Sequence, residues 1–259
     1  GQQVHPLGDT NGDSFGDILV TAPNWSTGDY TNKGRIFIFK GSASGLETSP
    51  SSTVLGQDDN DYFGQNVLTG RDINDDGHDD IVVTAPYRDS NGTDSGSMYV
   101  FFGSAAGIST SAANNIPGTE DGAMFGEVID WAGDVNGDGY EDLVVGNRRH
   151  DTAGTDMGAA YIYYGTSGGF ASAPSVMWLG DPTVYSASSY YNYDFFGYDV
   201  AGIGDINGDG YDDVSVSAPY HDSNGADAGK VYIYLGGEDG ISTEADFARY
   251  GSDSDYFGM

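Results

Sequence analysis

One nine-residue acidic segment occurs four times along the chain, and this repetition constrains the fold more than any other feature. The copies begin at Asp9, Asp72, Asp134 and Asp205, so a new copy starts about every 62 to 71 residues. Each copy has oxygen-bearing side chains at positions 1, 3, 5 and 9. A chain with such a period is expected to consist of one supersecondary unit repeated along its length.

The residue types within each copy predict a calcium-binding loop. Asp and Asn oxygens around a tight turn match a hard cation that takes about six to eight oxygen ligands. Zinc is disfavoured because the chain has no cysteine and His78 is the only histidine within the four segments. We predict about four Ca²⁺ ions, one per unit, held by the side chains at positions 1, 3, 5 and 9 and by the backbone carbonyl at position 7. The predicted ligands are Asp9, Asn11, Asp13, Phe15 and Asp17; Asp72, Asn74, Asp76, His78 and Asp80; Asp134, Asn136, Asp138, Tyr140 and Asp142; Asp205, Asn207, Asp209, Tyr211 and Asp213.

These segments differ from the EF-hand, which closes its calcium site with a bidentate Glu at position 12. Position 12 is valine in all four copies: Val20, Val83, Val145 and Val216. Coordination is therefore expected to close at position 9, directly before an apolar strand. Solvated turns of similar composition are an inadequate explanation of four copies in phase.

Charge and composition limit the possible partners. Asp plus Glu outnumber Lys plus Arg by 40 to 9, a net charge of −31, which disfavours binding to nucleic acid phosphates and direct insertion into an anionic membrane. The 38% of hydrophobic residues in regular alternation argues against disorder. Because low-affinity calcium modules fill only at high external calcium, we expect a secreted or cell-surface location. Without an initiating Met, the chain is expected to be part of something longer.

Each unit contains four strand-like segments joined by turns. The third segment alternates most clearly, and a weaker fourth segment ends at a glycine before the next Phe-Gly pair. Four strands per unit without a helical pattern predict an all-β β-propeller of four-stranded antiparallel blades. A blade cannot bury both of its faces alone, so neighbouring blades are expected to pack face to face. The predicted third strands are Arg35–Lys40, Ser97–Phe102, Ala160–Tyr164 and Lys230–Leu235.

Three motifs recur in the same order in the units: Phe-Gly, the acidic loop and Ala-Pro. This order resembles the FG-GAP repeat of the integrin α-subunit β-propeller and its bacterial relatives. In the third unit, Gly146-Asn147-Arg148 replaces Thr-Ala-Pro. In the first loop, Ser14 replaces the glycine at position 6, and we expect Gly12 to ease the bend. The matching pairs are Phe63-Gly64, Phe125-Gly126, Phe196-Gly197 and Phe257-Gly258, and Ala22-Pro23, Ala85-Pro86 and Ala218-Pro219.

The resemblance covers essentially the whole chain as one propeller region, residues 1–259. Its four FG-GAP units span approximately residues 1–62, 63–124, 125–195 and 196–259. Propellers of this family usually have seven blades, which favours a segment of a larger propeller. The alternative is a four-bladed ring, in which the last Phe-Gly pair completes the first blade.

The resemblance also indicates where a ligand would bind. In this fold the loops between the second and third strands lie opposite the calcium loops, on the face that carries ligand contacts in integrin-like relatives. An Asp recurs in three of these loops, which is more typical of turn capping than of ligand binding. The third unit also has an insertion rich in tyrosine. The candidate contact residues are Trp25, Tyr87, Arg88, Arg148, Arg149, His150, Tyr190, Tyr191, Tyr220 and His221.

The sequence contains no recognisable catalytic set and no cysteine nucleophile, so we do not expect an enzyme. We predict an adhesion or ligand-binding module in which calcium has a structural role. Its partner is expected to be a protein or glycan on the face opposite the calcium loops, or neighbouring blades or subunits. The alternatives are a purely architectural array in a large surface protein and an accessory domain of a secreted hydrolase.

Overall fold

The computed structural model describes residues 1–151, 155–181 and 193–259, which form sixteen strands and contain no helix. In chain order the strands are β1 (Gln3–Gly8), β2 (Asp17–Ala22), β3 (Arg35–Phe39), β4 (Ser52–Leu55), β5 (Val67–Arg71), β6 (Asp80–Ala85), β7 (Ser97–Phe101), β8 (Asn114–Pro117), β9 (Val128–Gly133), β10 (Asp142–Asn147), β11 (Ala159–Tyr163), β12 (Val176–Leu179), β13 (Val200–Gly204), β14 (Asp213–Ala218), β15 (Lys230–Tyr234) and β16 (Phe247–Tyr250). The predicted third strands agree with β3, β7, β11 and β15 to within one residue at each end.

Each run of four consecutive strands forms one antiparallel sheet, with the strands side by side in chain order. We call these sheets blades one to four, because they confirm the predicted all-β architecture of four-stranded propeller blades. Over the residues described, no helix is long and apolar enough to cross a membrane.

The chain divides into two compact units. The first comprises residues 1–127 and 165–172 and contains blades one and two; the second comprises residues 128–164 and 173–259 and contains blades three and four. Within each unit, the side chains on the facing surfaces of the two blades form one apolar core. The core of the first unit includes Leu19, Ile36, Phe63, Ile81 and Tyr99, and that of the second includes Ile162, Trp178, Phe196, Val214 and Tyr232.

The Phe63-Gly64 pair links blades one and two, which belong to the same unit. Phe63 is only 2% exposed and forms a parallel bridge with Gly34 of blade one. The N–H of Gly64 donates to the carbonyl of Thr84 in blade two, at 2.9 Å. Gly64 has a φ of 89°, a backbone conformation that favours glycine, and this explains why the second residue of the motif is glycine.

The residue before each Phe-Gly pair also adopts a left-handed backbone, with φ between 50° and 54°. Its N–H donates to the carbonyl of a second left-handed residue, in the loop between the second and third strands of the same predicted repeat. Such conformations are costly for bulky residues and persist where the surrounding hydrogen bonds hold them. The donor and acceptor residues are Tyr62 and Asn32 (3.0 Å), Met124 and Asp94 (3.0 Å), Phe195 and Asp156 (3.3 Å), and Tyr256 and Asp227 (3.0 Å).

The sequence departure in the third FG-GAP repeat, Gly146-Asn147-Arg148, leaves the turn after β10 intact. The N–H of His150 donates to the carbonyl of Asn147 at 3.2 Å, as the N–H of Arg88 does to Ala85 at 3.1 Å in blade two. A side-chain carbon on Gly146 would overlap the backbone oxygen of Gly197. The close approach of the Gly146 and Gly197 backbones therefore explains why glycine replaces the threonine of Thr-Ala-Pro.

Candidate functional site

Each acidic loop joins the first and second strands of its blade, and its position 9 is the first residue of the second strand. Because neighbouring strands are antiparallel, the loop between the second and third strands lies at the other end of the same sheet. The acidic loops and the candidate contact loops thus occupy opposite ends of each blade.

The carboxylate at position 1 organises the acidic loop through backbone hydrogen bonds. In the third loop, Asp134 Oδ1 accepts the N–H of Asp138 at 3.1 Å, and Oδ2 accepts the N–H of Gly139 at 2.9 Å. The other three loops contain the same two bonds. Backbone N–H donors, that of Ser14 above all, lower the pKa of Asp9, and the N–H of Gly210 does the same for Asp205. These carboxylates are therefore anionic at neutral pH.

Positions 4 and 6 have a left-handed backbone in all four loops. Gly12 and Ser14 have φ of 75° and 72° in the first loop, and Asp75 and Gly77 have φ of 58° and 89° in the second. Gly12 thus contributes to the bend of the first loop, and Ser14 also adopts the left-handed conformation that glycine adopts at position 6 of the other loops.

The aspartate at position 9 is buried in every loop. Asp80, with no exposed surface, accepts the N–H of Ile73 at 2.8 Å and that of Gly103 at 2.7 Å, one at each carboxylate oxygen. Burial raises the pKa of Asp80 to about 6. These bonds fix the loop to its sheet, and each oxygen retains acceptor capacity. The equivalent residues are Asp17, Asp142 and Asp213.

The donor types of each loop fit calcium, whereas the side-chain arrangement is not that of a closed site. Among the residues that the structure describes, no three His, Cys, Asp or Glu side chains are grouped so that they could hold a metal ion. In the third loop, Asn136 Nδ2 donates to Asp138 Oδ2 at 2.9 Å, and Asn136 Oδ1 accepts the N–H of Asp138 at 3.0 Å. Calcium binding would therefore require these side chains to rotate within the existing backbone turn.

At the opposite end of the blades, several candidate contact residues are half-buried and engaged with neighbours. Arg88 Nη1 lies 3.1 Å from carboxylate oxygens of both Asp58 and Asp61. The ring of Tyr87 lies 5.0 Å from that of Tyr62, measured between centroids. In the second unit, Arg148 lies 4.9 Å from the ring centre of Tyr198, and Tyr220 packs against Phe195 and Tyr256.

The two candidate histidines are buried. His150 is 7% exposed, and its Nδ1 lies 3.3 Å from the hydroxyl of Tyr161. His221 is 1% exposed, and its Nδ1 accepts the N–H of Ser223 at 3.2 Å. In this conformation both rings serve internal packing. Trp25 is partly buried, with the guanidinium of Arg35 5.3 Å from its ring. Tyr190 and Tyr191 lie outside the described residues.

The aspartate that recurs in these loops caps a turn, as the sequence indicated. Its Oδ1 accepts the N–H of the residue five positions later, which is an aspartate with a left-handed backbone. This bond stabilises a conformation that is unfavourable for a residue other than glycine. The pairs are Asp89 and Asp94 (2.8 Å), Asp151 and Asp156 (2.7 Å), and Asp222 and Asp227 (2.8 Å).

Sequence reasoning missed the acidic residue at position 8. Asp79 and Asp212 extend from their own loops to the residues preceding position 1 of the neighbouring loop in the same unit, namely Gly8 and Gly133. The signal available in the sequence was weak: a glycine directly before position 1 in one repeat, and an acidic residue at position 8 in the next.

The FG-GAP repeat family profile matches residues 1–39, 63–101, 125–163 and 196–234, which include every acidic loop and the first three strands of every blade. The chain is similar to integrin alpha-6 of Gallus gallus, with 36% identity over 60% of this chain and 13% of the integrin. It is also similar to Drosophila melanogaster integrin alpha-PS5 (32% identity, 83% of this chain, 19% of the relative) and integrin alpha-PS3 (34% identity, 69% of this chain, 15% of the relative). The chain thus spans less than a fifth of the length of these relatives. The four matched repeats and the four blades that contain them place this chain in the FG-GAP repeat family.

Proposed function

We propose that this chain is the calcium-stabilised FG-GAP propeller region of a secreted or cell-surface protein and that it binds an adhesion ligand without catalysing a reaction. The recurrence of one acidic loop geometry in all four blades is the observation that carries the proposal. The similarity to integrin alpha chains supports an adhesive role.

In this proposal, the side chains at positions 1, 3, 5 and 9 and the carbonyl at position 7 hold the calcium ion. Calcium supplies positive charge where three carboxylates of one loop otherwise repel one another. Backbone hydrogen bonds already hold the carboxylates at positions 1 and 9, so the chain provides an organised turn before the ion arrives. The ion would tie the loop to the strand that starts at position 9, which makes its role structural.

The ligand is proposed to bind at the other end of the blades. The loops there combine aromatic and arginine side chains, including Tyr87, Arg149 and Tyr220, which are all partly exposed. Tyrosine and arginine are enriched in the cores of protein interfaces, because they combine contact area with hydrogen-bonding groups. A protein or glycan is therefore the proposed ligand class, and the acidic character of the chain excludes nucleic acid as a favourable partner.

The proposal is tested by a binding screen against matrix proteins and glycans, in calcium and in chelator. Tyr87→Ala and Arg149→Ala are expected to weaken binding of a captured ligand at least tenfold while leaving the melting temperature within about 2 °C. Arg249→Ala provides a control, because Arg249 is an exposed arginine on the outer strand β16. Absence of a ligand, or equal binding by all three variants, would instead favour the architectural alternative.

A further inference from the structure

Consecutive acidic loops within each unit lie against one another. In the second unit, the N–H of Asp134, position 1 of the third loop, donates to Oδ2 of Asp212, position 8 of the fourth loop, at 2.9 Å. The N–H of Asp212 donates in return to the carbonyl of Asp134, at 3.2 Å. The first candidate ligand of one loop is thus bonded in both directions to the residue before the last ligand of the next.

The backbone before position 1 makes room for this contact. Gly133 has a φ of 82°, and a side-chain carbon placed on it would overlap the Asp212 carboxylate. In the first unit, Gly8 has a φ of 71°, and a side-chain carbon there would overlap the carboxylate of Asp79. Asp79 is position 8 of the second loop. The same spatial relation between loops therefore occurs once in each unit.

The residue at position 7 of the later loop makes a second contact with the earlier loop. The ring of Tyr211 lies beside Gly137, at position 4 of the third loop, and the ring of His78 lies beside Gly12, at position 4 of the first loop. Gly237, which follows β15, also donates its N–H to the carbonyl of Val135 at 3.0 Å. The turn of the earlier loop is thus covered by the later loop and its blade.

We propose that Asp79 and Asp212 are positioning residues that couple neighbouring calcium loops, one to two and three to four, so that filling either loop of a pair raises the calcium affinity of the other by the same factor. This inference rests on the proposed calcium function. An ion in the fourth loop would bind the carbonyl of Tyr211 and the carboxylate of Asp213, the two residues that flank Asp212. Asp212 would then be held where its carboxylate orders the backbone of Asp134 and adds negative charge beside the third ion.

The coupling is measurable because each loop has its own backbone reporter. The N–H of Gly139 donates to Asp134 in the third loop, and the N–H of Gly210 donates to Asp205 in the fourth. Calcium titrations of the whole ¹⁵N-labelled chain, followed at these two amides, give the two affinities separately. Asp212→Asn removes the charge but keeps an acceptor, and Asp212→Glu keeps the charge.

Because the coupling is reciprocal, it appears at the loop that fills second, and we expect Asp212→Asn to weaken calcium binding at that loop about fivefold or more, while the affinity of the loop that fills first stays within about twofold. Disabling the loop that fills first, by Asp209→Ala in the fourth loop or Asp138→Ala in the third, should weaken the other loop to a similar degree, and adding Asp212→Asn should have little further effect. Asp212→Glu should recover part of the loss. Glu244→Gln, a loss of one exposed charge in the same unit, is the matched control and should change neither affinity.

Each result decides a separate claim. Absence of calcium-dependent shifts at both amides of the unmodified chain would overturn the calcium function and, with it, the coupling. Calcium binding at both amides, with an unchanged affinity of the second loop to fill both in Asp212→Asn and when the other loop is disabled, would overturn the coupling alone. Further weakening by Asp212→Asn in a variant whose partner loop is already disabled would indicate a general structural defect and would also contradict the proposal. Asp79→Asn, followed at the amides of Ser14 and Gly77, repeats the test in the first unit.

Discussion

His221 Nε2 lies 3.9 Å from Asp194 Oδ2, and both side chains are buried in the second unit. At the equivalent place in the first unit, Arg88 lies 3.1 Å from Asp61. Arginine keeps its charge at every accessible pH, whereas histidine and a buried aspartate both titrate. Two repeats thus fill one structural position with pairs that respond differently to pH.

The first prediction concerns the pH dependence of stability in the second unit. Burial above all, together with the nearby Asp181 and Asp222 and against the lowering effect of Lys230, raises the pKa of Asp194 to about 7. An acid with a raised pKa in the folded state contributes stability that is complete below its unfolded pKa and is lost as pH rises through about 7. Asp194→Asn should therefore be more stable than the unmodified chain at pH 8, by about 1 to 3 kcal/mol.

Urea denaturation at several pH values in constant calcium measures this difference, which should shrink steadily towards pH 4. His221 has the opposite slope, because burial lowers its pKa to about 4 and stability falls as pH drops from about 6.5 towards that value. His221→Gln, whose side chain does not titrate, is the control for that slope. If the stability difference between Asp194→Asn and the unmodified chain is independent of pH, titration of Asp194 does not cause the predicted pH dependence.

The second prediction concerns the buried pair in the first unit. Asp61 is 1% exposed, and besides Arg88 it accepts the N–H groups of Gln57 and Asp58 at 3.1 and 2.8 Å. Removal of one partner leaves the other charge uncompensated, so Arg88→Met should destabilise the fold by about 2 to 4 kcal/mol.

The double variant Arg88→Met with Asp61→Asn is expected to recover part of this loss, because no buried charge remains unpaired. Chemical denaturation of both single variants and the double variant gives the coupling energy directly. If Arg88→Met lowers the free energy of unfolding by less than about 0.5 kcal/mol, the Arg88–Asp61 pair contributes little to stability, which would contradict this prediction.

The third prediction follows from the left-handed backbone at position 6. Ser14 has a φ of 72°, where its repeat equivalents are glycine, so Ser14→Gly should stabilise the fold by roughly 0.5 to 1 kcal/mol. Gly139→Ser is the matched reverse change. Gly139 has a φ of 91° and no atom within 4 Å of an added side-chain carbon, so this substitution isolates the backbone cost. Thermal melts should shift in opposite directions for the two variants, and shifts of the same sign would contradict the explanation.

The repeat pattern predicted the blades well, because strand alternation and turn residues are local properties. Strands such as Arg35–Phe39 and Lys230–Tyr234 end within one residue of their predicted bounds. The contacts between repeats were less predictable. Burial of His150 and His221 depends on aromatic partners that lie on other strands, Tyr161 and Tyr232. The bond between Asp212 and Asp134 joins residues 78 positions apart, and no local pattern specifies it.

The position 9 aspartates illustrate the same limit within a single loop. Their spacing predicted a role as calcium ligands, whereas the structure adds a second role that spacing does not reveal. Asp213 bonds its own loop at Ile206 and the glycine after the third strand, Gly236. The second bond depends on the sheet register, which places Gly236 beside the start of β14.

In the proposed function, calcium in the acidic loops holds this fold together. At ten times its dissociation constant, each bound ion adds about 1.4 kcal/mol, so four independent sites add roughly 5 to 6 kcal/mol, which is comparable to the whole stability of a typical domain. The direct test is the melting temperature of the chain in excess calcium and in excess chelator, with Asp138→Ala as the variant lacking one ligand and Glu244→Gln as its charge-matched control. We predict a fall of about 10 °C or more on chelation and a smaller calcium-dependent rise in Asp138→Ala than in the control. Equal melting temperatures in calcium and chelator would contradict the account.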